Sequence, residues 1–99
     1  PAPPAPTDVR TTVDNDGAVV LAWKATRPRP HARAFTRVER SLDGSGRFEL
    51  IGTTGTNAYR DDDLPMGTRE AAYRCTPVRG DKVGASAEAV VVRFGTRAA

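Results

Sequence analysis

The chain has 99 residues, 38% of them hydrophobic and 27% charged, which suits one soluble domain able to bury its own core. Its net charge of +3, from 15 basic and 12 acidic side chains, is too small to argue for a dedicated polyanion-binding surface. The longest apolar runs, residues 18–23 and 89–92, fall far short of the ~20 residues a membrane-spanning helix needs, and a single cysteine with a single histidine excludes an intrachain disulfide and a zinc set.

In chain order, residues 1–6 hold four prolines and two alanines, the composition of an extended polyproline-like linker. No basic-then-apolar leader opens the chain, but it is expected to be a piece of a longer protein, so the missing leader says nothing about localisation. A first strand is expected over 8–13, closed by Asp14-Asn15-Asp16-Gly17, whose side chains favour a tight turn. Residues 17–24 alternate, with Val19, Leu21 and Trp23 on the core side. A Pro- and Arg-rich loop covers 25–33, and a third strand 34–41. Asp43-Gly44-Ser45-Gly46 turns the chain into a fourth strand over 47–53, followed by a fifth over 57–61 and a corner over 62–68. A sixth strand, 70–78, places Ala71, Tyr73 and Cys75 inward, so Cys75 reads as a buried, inert thiol. Residues 79–85 form a turn, 86–94 a seventh strand with Val90 and Val92 inward, and 96–99 a polar tail. Short strands with turn signals every eight to twelve residues predict an all-β, two-sheet antiparallel sandwich of seven strands.

The run Val38-Glu39-Arg40-Ser41-Leu42-Asp43-Gly44, then Phe48, Ile51-Gly52-Thr53-Thr54, Asn57-Ala58-Tyr59-Arg60-Asp61 and Leu64-Pro65-Met66-Gly67-Thr68, resembles a fibronectin type III domain. Trp23 upstream and Tyr73-Arg74-Cys75 downstream extend the likeness over nearly the whole chain, with the domain spanning 7–95. The resemblance implies an immunoglobulin-like sandwich with Trp23 between the sheets. It also implies a tyrosine corner, but the family's tyrosine position falls near Glu70 or Ala71, so the corner bond is expected to be missing or made by another group. Thr36 stands where the family carries an aromatic, and a bulge is expected to turn Phe35 inward.

Three groups of residues invite functional readings. Arg79-Gly80-Asp81 matches an integrin-recognised tripeptide of one type III module, but its short loop reads as a polar turn. Strand alternation gathers Arg27, Arg29, His31, Arg33, Arg79 and Lys82 at one pole, a candidate grip on an anionic polysaccharide or an acidic protein because arginine pairs with planar anions. Asp14, Asp16, Asp43, Asp61, Asp62 and Asp63 gather at the opposite pole without the spacing of a calcium loop, and read as solvated. No catalytic set, cofactor or metal site is expected: His31 has no carboxylate nearby in sequence, and no serine sits on a nucleophile elbow. Six aromatics, mostly core, leave no stacking platform for nucleic acid.

The resemblance implies a non-catalytic accessory module, a spacer or protein interaction domain beside neighbouring domains of a secreted or surface protein, monomeric in isolation and without membrane insertion. An arginine-rich, alanine-rich composition fits a bacterial coding sequence, and bacterial type III modules often accompany polysaccharide-degrading enzymes.

Overall fold

The computed structural model describes residues 2–24 and 35–94. Alternation sorts side chains by face, and the faces assemble the sandwich. In β2 (Val19–Lys24), Val19, Leu21 and Trp23 are buried and their neighbours are not. β2 lies between β1 (Thr7–Val13) and β5 (Ala58–Asp61) in a three-stranded antiparallel sheet. The second sheet runs β4 (Glu49–Thr54), β3 (Phe35–Leu42), β6 (Glu70–Arg79). Two short strands, β7 (Lys82–Val83) and β8 (Val90–Arg93), share the free side of β6. Val38, Ala71, Tyr73, Cys75 and Val92 meet Val19, Leu21 and Trp23 between the sheets. At roughly 25 cal/mol per Å² of apolar area, this burial supplies the main driving force for folding.

The expected alternation holds, but seven strands become eight. Gly80 and Asp81 make a two-residue hairpin between Arg79 and Lys82, so β7 forms where a turn was expected. The chain then leaves the ladder and rejoins it only at Val90. Single backbone bonds from Gly84 N–H to the Pro77 carbonyl and from Ala87 N–H to the Cys75 carbonyl tether the detour. Pro3 and Pro6 are buried, and the Pro3 carbonyl and the Pro77 ring crowd the face of Gly84. The proline stretch therefore packs on the sandwich at these two residues.

The expected bulge lies elsewhere. Val38 pairs with Gly52 and Glu39 with Leu50, which leaves Ile51 as the extra residue, on β4. Ile51 turns toward the core, and its carbonyl accepts the Tyr59 hydroxyl at 2.9 Å. Gly52 makes this possible, because a β-carbon there would stand inside the Tyr59 ring. Phe35, which was expected to turn inward, is 47% exposed, because its pairing with Val78 continues the outward parity of β3.

Candidate functional surfaces

The two poles can be built from the strand ends. Lys24 pairs with Thr7, and Phe35 with Val78 beside the Gly80-Asp81 hairpin, so these termini share one pole with Pro3. Arg27, Arg29, His31 and Arg33 lie outside the described residues. Arg79 is half-buried and Lys82 exposed on either side of the hairpin. Gly80 takes φ 61° and Asp81 does not take a positive φ, the pattern of a type II′ turn that keeps Arg79 and Lys82 paired across the strands. The tripeptide is thus a tight strand reversal and not a protruding loop.

The acidic pole divides into separate sites. Asp14 caps its own turn, accepting the N–H groups of Asp16 at 2.9 Å and Ala18 at 3.1 Å. It also bonds Arg60, whose guanidinium reaches Asp16 at 3.5 Å and Asp62 at 3.8 Å. Asp43 Oδ1 accepts the N–H groups of Arg69 at 2.8 Å and Glu70 at 3.1 Å, which pins the corner to the β3–β4 turn. Among the described residues no three acidic, histidine or cysteine side chains gather as metal ligands.

Asp61, expected to be solvated with the others, is 2% exposed. It sits on β5 with the inward parity of Tyr59. Arg40, on β3 with the inward parity of Val38, places Nη1 2.9 Å from both carboxylate oxygens. The Tyr73 hydroxyl donates to Oδ2 at 2.5 Å, and the Asp63 N–H to Oδ1 at 3.3 Å. One carboxylate thereby ties both sheets and the start of the corner. The Tyr73 hydroxyl thus ends on a carboxylate and not on the backbone. Burial, then the bond to Asp61, pushes the Tyr73 phenol far above its usual range. Burial alone raises the Cys75 thiol to about 11, which leaves it protonated and unreactive at neutral pH.

This network was missed because the six aspartates were grouped by loop. Parity carried the signal: Tyr59 and Asp61 share one face, Val38 and Arg40 another, and two opposite charges pointing inward from facing sheets form a pair.

The outer face of the larger sheet carries a further set. Glu39 Oε1 accepts Arg74 Nε at 3.0 Å, and Arg74 lies 4.2 Å from the centre of the Phe48 ring. Four of the six large, exposed apolar side chains among the described residues, Phe35, Leu50, Val83 and Val91, stand on this face. Beyond it, an open cleft of 640 Å³ at the acidic pole is lined by Asp43, Arg69, Glu70, Arg93 and Phe94, with Arg93 and Glu70 paired at 3.4 Å.

No protein-family model matches the sequence. Solved structures do match its fold. Titin domains A168–A170 align with a TM-score of 0.77 at 16% identity over 93% of this chain, which spans only 32% of that one. A human fourth FNIII domain aligns at 0.77 and 17% identity over 100% of this chain and 84% of its own. A Fn3-like protein from Clostridium thermocellum aligns at 0.69 and 22% identity over 92% of both chains. With two antiparallel sheets, the inward Trp23 and these likenesses together, the chain has the fold of a fibronectin type III domain.

Proposed function

We propose that the domain is a non-catalytic accessory module, a spacer or protein interaction domain carried by a larger secreted or surface protein. The observation that supports this reading most is the path of the chain. It comes in at the pole where Pro3 lies on Gly84, and at Phe94, whose N–H bonds the Arg69 carbonyl, it leaves by the opposite pole. Domains joined this way line up end to end. Contact between successive domains would set the acidic pole of one against the basic pole of the next. Arg60 already offsets much of the acidic charge, so any such contact is weak and salt-screened. Small-angle scattering of two copies joined in tandem tests the reading. An elongated particle about twice the length of one domain supports it, and a particle folded back on itself overturns it.

A second reading, a grip on an anionic polysaccharide or an acidic protein, rests on the pole of Arg27, Arg29, His31, Arg33, Arg79 and Lys82. The exposure of Lys82 beside the rigid hairpin favours it. An NMR titration with an acidic polysaccharide should then shift residues 27–33 and 79–84, and Arg29→Ala or Arg33→Ala should weaken that binding. A spacer would be indifferent to both changes.

A further inference from the structure

We propose that the outer face of the larger sheet docks on the same face of a second copy of this chain, through a two-fold axis lying across the strands between Arg37 and Glu39. The proposal stands apart from the spacer reading and rests on the register of the sheet.

Directly paired residues share a face, so the outer surface resolves into four rows. Phe35, Val78 and Val83 make the first; Thr53, Arg37 and Thr76 the second. Leu50, Glu39 and Arg74 make the third; Ser41, Ala72 and Val91 the fourth. The first row is apolar, the middle is charged, and the fourth row carries Ala72 and Val91 beside Ser41, which is buried, as is Thr76 in the second row. Phe35, Leu50, Val83 and Val91 are 45% to 57% exposed and stand in three of the four rows.

The charges in the middle are incompletely matched. The Arg37 side chain is exposed and makes no hydrogen bond or ion pair among the described residues. Glu39 uses Oε1 for Arg74 and Thr76, and its second oxygen has no partner among them. An unmatched cation and an unmatched carboxylate oxygen therefore sit two residues apart on one strand.

A two-fold axis across the strands, between the second and third rows, reverses the order of the rows and keeps each strand opposite itself. Arg37 then faces Glu39 of the partner copy, and Glu39 faces Arg37. Val83 faces Val91, Val78 faces Ala72, and Leu50 meets the methyl of Thr53. The two unmatched charges are satisfied in the same operation, while Phe35 falls opposite Ser41. A glycan fits this face less well, because three of its four exposed apolar groups are aliphatic and offer no flat ring for stacking.

The size of the face sets the strength. Four strands about 4.8 Å apart and four rows about 6.8 Å apart give a footprint of a few hundred Å² per copy. That is well below the roughly 800 Å² per partner of a stable complex, so the dimer is weak, with Kd on the order of hundreds of micromolar. Copies held side by side on a surface or in an array would still pair, because tethering raises the local concentration to roughly millimolar.

The test is amide-shift NMR with translational diffusion on the intact chain, from about 50 μM to about 2 mM. Diffusion should slow with concentration, and shifts should cluster at Phe35, Arg37, Glu39, Leu50, Thr53, Val83 and Val91. Arg37→Glu and Leu50→Asp, both at exposed positions, should each raise Kd at least about tenfold, and added salt should weaken the wild-type dimer. Concentration-independent diffusion up to the highest concentration overturns the proposal. So does self-association that maps to another surface or survives Arg37→Glu. Shifts on this face that appear only when oligogalacturonate is added also overturn it, and assign the face to a glycan.

Discussion

Arg60 and Asp61 are neighbours on β5, each holds an oppositely charged partner, and they sit in opposite environments. Arg60 faces solvent, 44% exposed, and shares its charge among Asp14, Asp16 and Asp62. Asp61 faces inward, 2% exposed, and is held by Arg40, Tyr73 and the Asp63 backbone. Water screens the first cluster and competes for each of its bonds, so rearrangement there has little consequence. It is excluded from the second, where a missing partner leaves a charge that nothing else can solvate. The contrast shows that one strand can carry ion pairs with the same chemistry and very different energetic weight, set by the parity of each residue.

The largest expected effect comes from breaking the inner network. Asp61→Asn keeps the shape but leaves Arg40, whose side chain is 13% exposed, without its counter-charge. A loss of about 3–5 kcal/mol in guanidinium unfolding is expected. Adding Arg40→Met should recover part of that loss, since the buried cation is then gone while the introduced amide oxygen still accepts the Tyr73 hydroxyl. If Asp61→Asn cost no more than a surface substitution, the contrast between the two clusters would collapse. Tyr73→Phe is milder, because the ring still fills the core and Asp61 keeps Arg40. The lost hydroxyl bond to a carboxylate predicts a cost of about 1.5–3 kcal/mol in the same measurement.

Next comes the other tie between the sheets. Gly52→Ala would place a methyl group inside the Tyr59 ring, so the ring must move and release the Ile51 carbonyl. A cost of about 1–3 kcal/mol is expected. The Tyr59 ring resonances should shift in the NMR spectrum as well. A neutral substitution would mean that the bulge does not depend on this contact.

Much of this organisation could be read in the sequence, and the omissions have physical causes. Val19, Leu21, Trp23, Tyr73, Cys75 and Val92 announced themselves because the period of two and large apolar side chains agree. The tight turns were legible where Asp, Asn and Gly cluster. Which strand carries the bulge was not, since a bulge depends on the register between two strands: the substitution at Thr36 drew it to β3, whereas the extra residue is Ile51 on β4. The split into β7 and β8 was hidden for a similar reason. The chain leaves β7 at Gly84, which lies against Pro3, a contact between residues far apart in the sequence. Asp61 was mistaken for a surface charge because aspartate in a turn-rich segment is usually solvated, and only its parity with Tyr59 argued otherwise.

The smallest effect belongs to the outer cluster, and pH sharpens it. Burial tends to raise the Asp14 carboxyl, but the hydrogen bond from Arg60 and those from the Ala18 and Asp16 N–H groups outweigh it, so it lies below its ordinary value of 3.8. A carboxyl lowered by folding contributes stability that is present in full above the unfolded value, and this is lost as pH falls through the folded one. Asp14 therefore supports the fold above pH 3.8 and stops doing so only in stronger acid. Carboxyl-carbon NMR titration should show it ionised below that pH. Arg60→Gln should move its midpoint upward, but only part of the way, because the two backbone donors remain. At neutral pH the same substitution should barely change the unfolding midpoint, and added salt should erase the difference. Large destabilisation by Arg60→Gln, persisting in high salt, would place both clusters in the same energetic class and remove the role assigned to burial.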